Sequence, residues 1–126
     1  MLFFDTSAAV AWLRGDESLK KEADDEGVAI SVITVYELLW AARRKSRRAV
    51  EGVELFLDGS TILPLTHDIA RRAAHLKAEV LAGGKDKPMA DLIIAATAEK
   101  EGLKFLSSDK DFADIRRFAD IDLHMI

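Results

Sequence analysis

Apolar residues follow two rhythms along this chain, short unbroken runs and stripes spaced three or four apart, and the two alternate from end to end. Met1-Leu2-Phe3-Phe4, Val28-Ala29-Ile30, Thr61-Ile62-Leu63-Pro64-Leu65 and residues 103–106 are the runs, which suit short strands buried on both faces. Residues 121–125 read as a last edge strand. Between them the spacing predicts helices. One runs from Thr6 or Ser7 to about Arg14, and a polar one from Glu17 to Asp25. A third follows Ser31, with Val32, Val35, Leu38, Leu39 and Ala42 on its stripe. Ser46 opens a fourth that turns Val50, Val53, Phe56 and Leu57 inward, and Thr66 a fifth with Ile69, Ala73, Leu76 and Val80. The last long helix runs from Pro88 to about Glu101. Hydroxyl residues at these starts offer an oxygen to the free amides of a first turn, and Gly15, Gly27, Gly59, Gly83 and Gly102 mark the stops. Residues 109–112 form a turn or short helix. Alternation of strand and helix predicts an α/β fold, a mainly parallel sheet with helices on both faces.

Against that framework the acids stand out. Asp5 closes the first apolar run, Glu37 lies inside an apolar helical stripe, Asp91 opens Leu92-Ile93-Ile94-Ala95-Ala96, and Asp109 follows Lys104-Phe105-Leu106-Ser107-Ser108. Strand ends are where an open α/β sheet places its ligands. Carboxylates meeting there repel one another unless a cation neutralises them. A set of hard oxygen donors suits Mg²⁺ or Mn²⁺, and the absence of cysteine removes any thiolate site. The pattern suggests a metal-dependent phosphodiester hydrolase.

The 126 residues, 49% hydrophobic and 32% charged, read as one domain over 1–126 with a real core. No apolar stretch approaches the roughly 20 residues that span a bilayer. No basic segment precedes the first apolar run, so no signal peptide is expected. Together with zero cysteines this fits a cytoplasmic protein. A net charge of −4 argues against nucleic-acid binding over the whole surface. The cations are clustered, however: Arg43, Arg44, Lys45, Arg47 and Arg48 crowd one corner, and Lys85 and Lys87 share a loop. These are the candidates for contact with substrate phosphates, against a simpler reading as a solvated helix face.

Phe4-Asp5-Thr6-Ser7-Ala8, Ser31 to Leu38, Asp91 to Ala98 and Leu106 to Phe112 together resemble, in order, the four motifs of the PIN domain family, and the chain resembles its VapC-type toxins. Ser107 stands where that family often has Thr. The resemblance implies a three-layer α/β/α sandwich, Mg²⁺- or Mn²⁺-dependent endoribonuclease activity, dimerisation and inhibition by a cognate antitoxin. Under it, Asp5 and Asp91 are the expected direct metal ligands. Glu37 and Asp109 complete the pocket as ligands or as acceptors for the ion's water. Thr6 and Ser107 orient carboxylates or water.

Other readings remain open. A PIN fold serving only as a binding module, or an RNA-maturation nuclease, would carry the same motifs. A receiver domain needs paired acids after the first strand, and a haloacid-dehalogenase-like phosphatase needs an acid where Ser7 stands. Asp111 is expected to cap the turn that presents Phe112, and Asp86 to be solvated. Tyr36, Trp40, Trp12 and Leu13 read as core or interface residues. His67, His75 and His124 share no metal-like spacing.

Overall fold

A computed structural model describes residues 1–126. Its elements are β1 (Leu2–Phe4), α1 (Thr6–Leu13), α2 (Glu17–Glu26), β2 (Val28–Ser31), α3 (Val32–Arg43), α4 (Arg47–Asp58), β3 (Thr61–Leu63), α5 (His67–Ala82), α6 (Met89–Glu101), β4 (Lys104–Ser107), α7 (Asp111–Ile115) and β5 (Asp122–Met125). The strands lie in the order β3-β2-β1-β4-β5, and every pairing is parallel. The sheet is therefore wholly parallel where a mainly parallel one was expected.

Alternation along β1 divides the core. Phe3 joins Ala29 and Phe105 on the face covered by α5, α6 and α7; Leu2 and Phe4 join Ile30 and Leu106 beneath α1 to α4. Edge-to-face packing of Phe3 on Phe105, 5.2 Å between centroids, knits the first face, and Trp12 against Phe56 at 5.0 Å closes the second. This is the three-layer sandwich. Local chemistry sets the helix starts: Ser31, Ser46 and Thr66 accept from the amides of Ile33, Ala49 and Ile69. Gly102 ends α6 in the left-handed conformation, φ 64°, which a side chain would resist. Pro88 lies one residue before the first helical turn, at the N-cap of α6.

Central β1 is also where the chain's direction of winding reverses. β2 and β3 lie to one side, β4 and β5 to the other. Crevices form at such a switch point, beyond the carboxyl ends of the strands. The expected acids converge there.

Candidate functional site

Asp5 leaves β1 as the N-cap of α1 and is 2% exposed. It is fully engaged. The Ala8 amide donates to Oδ1 at 2.9 Å, Ser7 Oγ to Oδ1 at 2.7 Å and Ser107 Oγ to Oδ2 at 2.7 Å. Ser107 comes from the end of β4, so this bond ties two adjacent strand ends together. Burial pushes the Asp5 carboxyl up, while these donors and the nearby Asp109 charge act in opposite directions on it. Thr6, next along α1, donates through Oγ1 to Glu37 Oε1 on α3 at 2.6 Å. Thr6 and Ser107 thus each touch one of the expected acids.

Asp91 sits in the first turn of α6, where a carboxylate favours the helix dipole. Carboxylate oxygens of Asp91, Asp109 and Asp111 lie within 4.8 Å of one another. The proximity is felt: Asp91 is pushed up to about 7, first by burial, then by the Asp109 charge, a hydrogen bond with Asp111 and the charges of Asp111 and Glu37. Asp91 and Asp109 therefore belong to the tight cluster. Asp5 and Glu37 stand beside it, near enough to act through their charges.

Asp111 was the missed member. Its expected capping role falls instead to Asp109, whose Oδ1 accepts from the Asp111 amide at 2.9 Å. The side chain of Asp111 joins the cluster. The spacing of Asp109 and Asp111, two apart in a turn, was the signal available for it.

Cations sort into two groups. Lys85 and Lys87 are paired with acids of α7: Lys87 Nζ lies 2.9 Å from Asp111 and 2.7 Å from Asp114, and Lys85 Nζ 3.8 Å from Asp114. Lys87 is only 8% exposed. Its place inside the protein corrects its expected role as a surface phosphate contact. Asp86 is exposed, as expected of a solvated loop acid, and pairs there with Lys77. By contrast Arg43, Arg44, Lys45, Arg47 and Arg48 are exposed and have no acidic partner. Arg44, Lys45 and Arg48 rim a groove of about 860 Å³ between α1, α3 and α4, floored by Val10, Leu13 and Leu38. A smaller pocket of about 390 Å³, lined by Thr6, Ser7, Arg14 and Ser108, shares Val10 and Arg14 with it. Tyr36 and Trp40 point outward, 69% and 56% exposed, so neither belongs to the core. His75 and His124 pair with Glu79 and Asp122, away from the acids.

A cluster made only of carboxylate oxygens, already strained by mutual repulsion, fits a hard divalent cation. Asp91, Asp109 and Asp111 would hold it, with Asp5 and Glu37 alongside. No helix is long and apolar enough to cross a membrane.

The sequence profile of the PIN domain matches residues 2–118. Ribonuclease VapC5 of Mycobacterium tuberculosis is 32% identical over 124 residues, 94% of this chain and 90% of that protein. A VapC ribonuclease of Pyrococcus furiosus is 28% identical over 92 residues, 72% of this chain, and the match spans 62% of that relative's length. Among solved structures, a member of the VapBC family of toxin–antitoxin systems, VapBC-5 from Mycobacterium tuberculosis, superposes with a TM-score of 0.70 and 28% identity, over 98% of this chain and 95% of that one.

Proposed function

Because this chain belongs to the PIN domain family, we propose that it is a Mg²⁺- or Mn²⁺-dependent endoribonuclease acting as the toxin of a toxin–antitoxin pair. The observation that carries the reading is the convergence of Asp91, Asp109 and Asp111, with Asp5 and Glu37 beside them, at the carboxyl ends of parallel strands. The relatives' names support RNA as the substrate, and the toxin–antitoxin neighbour supports an antitoxin partner. We place the protein in the cytoplasm, as a homodimer, on the same family grounds.

A divalent cation held by these acids would lower the pKa of an attacking water and offset charge on the leaving oxygen. The chain's own residues prepare the site. Ser7, Ser107 and the Ala8 amide fix Asp5 in one orientation, so its direction costs no reorganisation. Thr6 steers Glu37 in the same way. Glu37 and Asp109 are acceptors placed to hold water, while the acids as a group exclude a bare phosphodiester until their charge is offset. Positioning and charge stabilisation supply most of the catalysis in phosphoryl chemistry.

RNA has to approach an acid-rich site, and the unpaired cations provide the attraction. Arg43, Arg44 and Lys45 are the phosphate contacts we favour, with Arg48 beside them. An acidic amphipathic segment of the antitoxin would match the apolar floor and cationic rim of the same groove, covering those cations and so blocking substrate. Neutralising Arg44, Lys45 and Arg48 together should flatten the dependence of cleavage rate on salt, each lost phosphate contact reducing the logarithmic slope by about 0.7 for single-stranded RNA. An unchanged slope would remove the groove from the RNA path.

The test of the function is cleavage of a structured RNA mixture by partner-free protein with Mg²⁺, with Mn²⁺ and with chelator. Metal-dependent cuts are expected. Folded protein that neither binds metal nor cuts would leave the silent binding module standing in place of the nuclease.

A further inference from the structure

Lys87 is the buried cation that the mechanism has not used. It belongs to the loop that leads into α6, four residues ahead of Asp91, yet both its partners lie on α7, just beyond Asp109. A lysine ammonium that is 8% exposed needs compensation, and here two carboxylates provide it. One of them, Asp111, is a member of the metal-capable cluster; the other, Asp114, is not. The loop itself is held, since Lys77 bonds both the Asp86 side chain and the Lys87 carbonyl. Lys87 therefore joins the two segments that carry Asp91 and Asp109, and it bonds Asp111 directly.

We infer that Lys87 is a positioning residue for the metal site, a fixed internal cation that holds Asp111 in the cluster and keeps the acid-bearing starts of α6 and α7 in register. The inference rests on the metal-site reading above. Carboxylates that bind metal are commonly oriented by such partners, whose loss costs about 10–100-fold in metal affinity. The sign discriminates between roles. A lysine that merely added positive charge near the site would repel the metal, and its removal would tighten binding. A positioning lysine, once removed, leaves Asp111 free to move, and binding weakens.

Calorimetric titration of Mn²⁺ into the full chain decides the matter, with Lys87→Met, Lys87→Arg and Asp114→Asn alongside the natural sequence. Lys87→Met is expected to weaken Mn²⁺ binding by about tenfold or more. Lys87→Arg should recover much of the loss. Asp114→Asn loosens the same lysine without touching the cluster, and should weaken binding in the same direction by a smaller factor; it keeps the question open to measurement if Lys87→Met does not fold. Mn²⁺ binding by the natural chain with equal or tighter binding by the variants would overturn the role of Lys87 alone. No binding by the natural chain would overturn the metal site together with it.

Discussion

Asp91→Asn is expected to raise the melting temperature of the metal-free protein while reducing RNA cleavage by about 100-fold or more. The two effects come from one cause. Asp91 lies among carboxylates, and its own carboxyl is pushed up to about 7, so its ionised form is disfavoured in the fold. For an acid raised in this way, the folded state binds more protons than the unfolded one between the ordinary value of 3.8 and about 7. Metal-free stability is thus complete below that ordinary value, falls as pH rises through the window, and levels off above about 7. Asparagine removes the slope. Its gain is largest at neutral pH and above, where Asp91 would be charged. Since Asp91 is only half-buried, solvent screens much of this strain. About 1 kcal/mol is a fair allowance, some 4 °C in melting temperature for a domain this size. Scans from pH 4 to pH 8 without metal measure it.

The same proton competes with the cation. Mn²⁺ affinity should fall by close to tenfold per pH unit below about 7, flatten above it, and lose that dependence in Asp91→Asn. A metal-free Asp91→Asn protein less stable than the natural chain at pH 8 would mean that Asp91 is held by favourable contacts and not strained by its neighbours. Stability opposing activity at one residue is what a site built to receive a cation should show.

Most of the fold could be read from the chain because the deciding forces are local. Ser31, Ser46 and Thr66 bond amides two or three residues away, and Gly102 answers a backbone angle. The apolar runs name the strands since both faces of a parallel sheet are covered. Asp5, Asp91 and Asp109 stood out for a related reason, since each closes or opens an element whose end the sheet topology then gathers, whereas Glu37, in the middle of α3, stood out only as a charge within an apolar stripe. What could not be read were the partners of charges. Lys87 meets acids 24 and 27 residues away, and nothing in Lys85-Asp86-Lys87 marks which of the three faces inward. Asp111 was hidden by its neighbour, because two acids in one turn can exchange the roles of cap and ligand without any change in pattern. Tyr36 and Trp40 sit on α3 at a spacing that suits either a core stripe or an outward one, and only the packing of Leu38 and Ala42 beneath them decides.

Asp5→Ala should do the opposite of Asp91→Asn and destabilise the metal-free protein, by about 2–3 kcal/mol. Both residues are acids of one site with carboxyls pushed upward, so burial and charge alone would rank them together. Hydrogen bonding separates them. Asp5 is the N-cap of α1, and removing such a cap costs about 1 kcal/mol. It is also the acceptor for Ser7 and for Ser107, which reaches it from a neighbouring strand. The two hydroxyls lie 3.3 Å apart and can turn toward each other, which satisfies one of them. A buried donor without an acceptor costs a further 1–3 kcal/mol. Relief of the strain on Asp5 offsets part of this, but its burial means that the polar groups it leaves behind gain little from water. Denaturant unfolding at pH 7 without metal compares the variants directly. Asp5→Asn retains one acceptor oxygen and should fall between alanine and the natural chain. If Asp5→Ala instead gains stability as Asp91→Asn does, Asp5 is one more repelling acid, and the strand ends are held by the sheet alone. If it loses stability, the carboxylate at the end of β1 builds the crevice itself, and the site cannot be emptied of its acids without loosening the fold around it.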